Sequence, residues 1–383
     1  MRKSLYTILL ALLLGASALT GSTGLWAQTA RDSLSIDGPY ILHNGDSVRV
    51  ITVSEDGVIK DTTYAQAPAS FRVCDHEGRY PFDMSLRRIE RQDWYTRATP
   101  ERVFVMSDPH GKLDCVISLL QGNGVIDEDL HWAYGSGQLV QIGDIFDRGD
   151  DAVQIFWFFY RLQQEAAEAG GRVTMLMGNH EPMEFSGDMR YATPKYPILA
   201  RELGVEYRDL FGPDSELGRW IASWNIIGII GRDLYVHAGL SGEFYREDIP
   251  IEEVNEEMSN AIFMRSKERK AASERLKFLY GGRGPIWYRG MVLNGKKWHP
   301  VSNDTLNLIL SRYDIDHVVV GHTIFNDVRT FRNGRVICVN VDNARNRKKG
   351  LGRALLIEQG RYYVVGDKGK LRELIPCRSR LNK

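Results

Sequence analysis

Five short apolar runs punctuate the middle of the chain, at residues 103–106, 139–142, 173–177, 234–236 and 317–320. Each is too short for a helix and stops at a loop containing glycine. Runs of this kind read as strands buried on both faces. Longer stretches separate them. Residues 112–120 and 152–169 read as helices, closed by Gly122-Asn123-Gly124 and by Gly170-Gly171. The second contains Phe156-Trp157-Phe158-Phe159-Tyr160, the face of a helix packed on a sheet rather than a base-stacking surface. Helices are also predicted over 196–223, an insertion expected to shape a cleft, over 251–279 and over 303–312. The mixed charges of residues 265–270 are expected on a solvated face, a docking surface for an acidic partner being the alternative. Alternating runs predict a hairpin or meander over 33–67, padding an edge of the main domain, and two antiparallel strands over 225–237. Further hairpins are predicted over 329–341 and 353–365. The order predicts an α/β (α+β) fold: a central β-sandwich of two mixed sheets flanked by helices, with a small N-terminal β segment.

Composition is that of a globular chain, 43% hydrophobic and 26% charged over 383 residues. The formal net charge of +0 gives no electrostatic reason to expect nucleic acid or an anionic membrane as a partner. The first residues differ from the rest. Arg2 and Lys3 precede a run of leucines, then Gly15, Ala16, Ser17 and Ala18. This is the layout of a secretory signal peptide, cleaved after Ala18 or Ala27, so the mature protein is expected to be secreted or periplasmic with no membrane span. Of the cysteines Cys74, Cys115, Cys338 and Cys377, none shows CxxC spacing. Cys115 and Cys338 are expected as buried thiols; a Cys74–Cys377 bridge is conceivable outside the cytosol.

The chemistry lies where the strands end. Ser107-Asp108-Pro109-His110-Gly111 follows the first run, Gly143-Asp144-Ile145-Phe146-Asp147-Arg148-Gly149-Asp150 the second, and Gly178-Asn179-His180-Glu181 the third. His237-Ala238-Gly239 and Gly321-His322-Thr323 follow the last two. Loops at the carboxyl ends of neighbouring strands converge. The candidate metal ligands are therefore Asp108, His110, Asp144, Asn179, His237 and His322. Carboxylate, imidazole and amide oxygen suit Mn, Fe or Zn, and the lack of thiolate argues against a structural zinc site. Six ligands exceed the need of one catalytic ion; they suit two divalent ions with Asp144 between them.

These five blocks, spanning about 103–341, resemble the calcineurin-like metallophosphoesterase superfamily, and GDIFDRG with GNHE is similar to its phosphoprotein phosphatase branch. Residues 183–191 resemble the GDxRY element of the Shewanella-like protein phosphatases, although Glu184 stands where that subgroup usually has Asn. Two other departures, Pro109 between the first two ligands and Met177 before Gly178, remove no ligand. The resemblance implies a metallophosphoesterase-type sandwich over residues 100–370, after a signal peptide (1–27) and a β-rich segment (28–99) and before a tail (371–383). It assigns Asp108 and His110 to one ion, Asn179, His237 and His322 to the other, and Asp144 to both. It implies His180 as general acid, oriented by Asp147, with Arg148 and Arg289 binding the phosphate and Asn179 also facing substrate. Asp188 and Arg190 either brace the insertion as an ion pair or touch substrate. The implied reaction is phosphomonoester hydrolysis by in-line attack of a hydroxide bridging the ions. The substrate is expected to be a phosphorylated protein side chain, on tyrosine or on serine and threonine. A phosphatase for small phosphate esters or nucleotides is the alternative, and a catalytically silent metal-bound binding module the second.

Overall fold

The computed structural model describes residues 34–374; the expected signal peptide and Cys377 lie outside the described residues. Two six-stranded mixed sheets form the centre. The first runs in the order Gly369–Glu373, Arg361–Gly366, Ala354–Glu358, Arg102–Met106, Gln138–Ile142, Arg172–Leu176. Its last three strands are parallel, with Val105 opposite Val140 and Val140 opposite Thr174. The second runs Arg329–Phe331, Val336–Cys338, His317–Val320, Asp233–Val236, Ile227–Ile230, Tyr95–Thr96. Here Asp233–Val236, His317–Val320 and Val336–Cys338 are the parallel set.

The period-two geometry of a strand divides the apolar runs between two cores. Val103, Val105, Val140 and Ile142 meet Tyr235, Val319 and Ile337 of the other sheet, forming the layer inside the sandwich. Their neighbours Phe104, Met106, Leu139 and Val173 face outward into a second cluster with the helices Leu113–Gln121 and Ala152–Glu168. That double burial is why the runs are uniformly apolar rather than alternating.

The helix Ala152–Glu168 has unbroken burial from Ala152 to Gln163, because something covers its outer side. The cover is the N-terminal meander Asp37–Asn44, Ser47–Val53, Ile59–Tyr64. Trp157 Nε1 donates to Pro39 O at 2.8 Å, Gln154 Nε2 donates to Asp37 Oδ1 at 3.2 Å, and Lys195 pairs with Asp37 at 3.4 Å. The segment therefore covers a helix layer instead of padding a sheet edge. Full burial of each of its large apolar side chains contributes about 1.5–3 kcal/mol.

Two strands lie outside the limits expected for the sandwich. Tyr95–Thr96 pairs with Ile229 and Ile230, so the second sheet begins before residue 100, and the strand Gly369–Glu373 carries the first sheet past residue 370. The insertion forms helices Lys195–Leu203 and Glu216–Ala222 around a 3₁₀ turn, Tyr207–Phe211, and none of these lines the cleft. Residues 251–279 form three helices rather than one, Ile251–Asn260, Ser266–Ala272 and Glu274–Leu279. Within the charged run Arg269 is buried, not solvated: its Nη2 donates to Pro182 O at 3.0 Å and its guanidinium lies 4.2 Å from the Tyr280 ring centre.

Candidate active site

Six strands of the two parallel sets end together, three from each sheet, and every candidate residue but Arg289 occupies a turn that follows one of them. Asp108, His110, Asp144, Asp147, Arg148 and His322 all have φ between 45° and 73°. Left-handed backbone at a residue with a side chain costs on the order of 1–3 kcal/mol and persists where surrounding structure enforces it. Here the enforcement is close packing of the loops. A Cβ on Gly178 would come within 2.2 Å of Asp144 Oδ1, and one on Gly321 within 2.7 Å of Asp108 Oδ1, so only glycine lets these strand ends approach the two carboxylates.

Asp144 is the centre. Its Oδ2 lies 3.1 Å from His237 Nε2, 3.8 Å from His180 Nε2 and 4.0 Å from His110 Nε2, while Oδ1 accepts from His180 N at 3.0 Å. The histidines are aimed by their other nitrogens. His110 Nδ1 donates to Phe146 O at 2.8 Å and His237 Nδ1 donates to Ile142 O at 2.7 Å, leaving each Nε2 for the site. Such a second contact fixes tautomer and ring orientation. Asn179 Oδ1 sits 3.1 Å from His237 Nε2. His322 Nε2 is buried and has no partner.

This donor set fits metal ions. Asp144, His237 and His322 bring ligand atoms within 4.8 Å of one another, as do His110, Asp144 and His180. Asp108 is buried near Asp144; burial and that second carboxylate push its pKa up to about 7. Two buried carboxylates so placed call for a cation between them. Burial holds His110 down to about 4 and His322 well below its usual value, so both stay neutral, the form that ligates metal. His237, although burial opposes it, is pushed up to about 9 by Asp144. A bound ion would take the place of that proton.

His180 and Asp147 form the remaining pair. His180 Nδ1 is hydrogen-bonded to Asp147 Oδ2. Burial lowers the pKa of His180, but Asp144 and the bond to Asp147 outweigh it and raise the value above normal. Arg148 and Arg289 line the same cavity, about 300 Å³, with Asp108, His110, Asp144, Asn179, His180 and His322. Arg289 Nη1 donates to His322 O at 3.2 Å and Thr323 Oγ1 at 3.0 Å; Arg148 lies 5.5 Å from the Tyr191 ring centre. All the expected site residues therefore meet in one place. Asp188 and Arg190 pair with each other at 2.7 Å and are absent from the cavity wall.

Two residues went unassigned in the sequence. Glu181, fully buried, accepts from the backbone N–H groups of Asp144 (3.1 Å), Ile145 (2.8 Å) and Gly178 (2.7 Å), stapling the second loop to the third. Asn340 Nδ2 donates to Asp108 Oδ2 at 2.6 Å. It follows the apolar run 336–339, so the strand-then-polar pattern held one more instance than the five used.

Fold and site together define a metal-dependent phosphoesterase. Residues 101–325 match the family model described as calcineurin-like phosphoesterase, and the chain belongs to that family. Among its relatives are phosphatases of the Shewanella-like kind. Shewanella-like protein phosphatase 2 of Arabidopsis thaliana is 25% identical over 304 residues, 68% of this chain and 76% of the relative. An uncharacterized Schizosaccharomyces pombe protein is 31% identical over 275 residues, 70% and 79% of the two chains. The cold-active protein-tyrosine phosphatase of a psychrophilic Shewanella superposes with a TM-score of 0.80 at 31% identity, covering 89% of this chain and 99% of that one. This chain is a phosphatase of the same fold.

Proposed function

We propose that this phosphatase acts on phosphorylated protein side chains outside the cytosol, with phosphotyrosine preferred. The observation that carries the chemistry is His180: Nδ1 is engaged by Asp147 while Nε2 opens to a cavity shared with Arg148 and Arg289. Asp108 and His110 would hold one divalent ion, Asn179, His237 and His322 the other, and Asp144 both. When bound, such ions supply Lewis-acid charge and an activated water nucleophile. The two guanidiniums bind the non-bridging phosphoryl oxygens and stabilise the charge that develops there, with Asn179 alongside. His180, held protonated by Asp144 and Asp147, gives its Nε2 proton to the leaving oxygen as the P–O bond breaks.

Phosphotyrosine is supported by two things. The Shewanella enzyme is a protein-tyrosine phosphatase. Tyr191 and Ile324, 47% and 57% exposed, offer apolar surface at the cavity for a phenyl ring. The location rests on the signal-like N-terminus. The test is hydrolysis after chelation and re-addition of Mn²⁺, Zn²⁺ or Fe²⁺, on phosphotyrosine and phosphoserine peptides, a nucleotide and a small aryl phosphate. Peptide turnover well above the small esters is expected. Turnover of small esters alone would make this a scavenging phosphatase, and none with any metal would leave a binding module. Detection in the periplasmic or secreted fraction tests the location.

A further inference from the structure

The helix His180–Phe185 begins at the proposed acid, and one turn later brings Glu184 back to the same side. Glu184 is 2% exposed and makes no ion pair with a basic residue among the described residues. Its Oε2 is buried without a partner, and so is Oδ1 of Asp147, the oxygen that His180 does not use. These two carboxyls lie within hydrogen-bonding reach of each other. Two buried carboxylates in contact do not both ionise; one keeps a proton and shares it. Burial, then the contact with Asp147, pushes Glu184 up to about 10. The other titratable groups facing it are Asp188 and the buried Tyr207 hydroxyl, and neither offers it a positive charge.

We propose that Glu184 is a positioning residue for the His180–Asp147 pair, its carboxyl O–H donating a hydrogen bond to Asp147 Oδ1. With both oxygens engaged, Asp147 cannot turn about its carboxylate axis, and its bond to His180 Nδ1 keeps Nε2 aimed at the leaving oxygen. The proposal rests on reading His180 as the general acid.

The test compares Glu184→Met, which keeps the bulk without the donor, with Glu184→Gln, which keeps a donor, and with His180→Gln. Each is assayed on an aryl phosphate with a good leaving group and an alkyl phosphate with a poor one. A general acid supplies about 10²–10⁴-fold, mostly for poor leaving groups. Glu184→Met is expected to lower kcat on the alkyl ester roughly 10- to 100-fold, part of that range, with the aryl ester nearly unaffected and KM unchanged. Glu184→Gln should recover most of the loss. The infrared spectrum of the wild type at neutral pH should contain a protonated-carboxyl carbonyl band that Glu184→Gln removes. Equal losses on both esters, no recovery by Gln, or no such band would overturn the proposal. If His180→Gln keeps the wild-type ratio between the two esters, the acid reading fails instead, and the infrared band alone decides the Glu184–Asp147 contact. If Glu184→Met does not fold, the wild type and Glu184→Gln still decide through the band.

Discussion

Asn340 Nδ2 donates to Asp108 Oδ2 at 2.6 Å, across 232 residues of chain. Asp108 thereby has one oxygen fixed by an amide, while the other accepts from Ser107 Oγ and from His322 N at 3.2 Å. The first carboxylate of the metal set is thus oriented by the last strand of the parallel set in the second sheet. Asn340→Ala is expected to weaken metal binding about 10- to 100-fold, the usual effect of losing a residue that orients a ligand. Activity titrated against Mn²⁺ should shift to higher concentration with a similar plateau; a lowered plateau at unchanged half-saturation would contradict this.

Removing the metal should lower thermal stability as well as activity, because Asp108 and Asp144 then face each other buried. Metal at 100 times its Kd stabilises the native state by about 2.7 kcal/mol by mass action. Melting midpoints with chelator and with increasing Mn²⁺ should rise together with activity. Asp144→Asn should abolish hydrolysis and flatten that rise, and unchanged hydrolysis would exclude the shared role of Asp144.

Arg289 is held by the loop that carries His322. Arg289→Ala should cost about 10²–10³ in kcat/KM, the scale for one charge-stabilising donor. Arg289→Lys should recover only part of it, since an ammonium cannot reproduce the two-pronged contact. Full recovery by Lys would leave only a point charge at that position.

The N-terminal segment is also tied to the long helix by His76, whose Nδ1 lies 2.9 Å from Asp151 Oδ1. That hydrogen bond raises the His76 pKa above its usual value. A raised histidine stabilises the fold fully below the unfolded value, about 6.5, and loses the contribution as pH rises through the folded one. The difference in melting midpoint between wild type and His76→Gln should therefore be largest near pH 5.5 and shrink by about pH 9. A difference constant with pH would mean the contact is not ionic.

Trp157 is fully buried between helix and meander and bonds Pro39 O. Trp157→Ala should cost about 3–5 kcal/mol, read in urea unfolding, with turnover per folded molecule retained at low temperature.

Much of this was legible along the chain. A strand of five residues buried on both faces must be apolar throughout, and the turn after it must carry whatever polar chemistry the end of the sheet presents. Asp108, Asp144, Asn179, His237 and His322 were therefore readable in order, without coordinates. Local sequence also determined the helices after the first two loops and the meander, where period and turn residues agree. What it could not determine is who stands next to whom across the fold. Asn340 reaches Asp108 because the parallel strands of the two sheets end at one edge, and no local period encodes that edge. Arg269 sits in a run of charges that reads as solvated, yet it is buried against Tyr280 and Pro182, since a guanidinium can satisfy backbone oxygen and stack on a ring at once. The helix Ala152–Glu168 is buried all round from Ala152 to Gln163 because the N-terminal segment lies over its outer side. Local sequence decided the strands, the loops and the ligand types, because these depend on near neighbours; tertiary structure decided orientation, protonation and second contacts, because those depend on groups brought together only when the two sheets close.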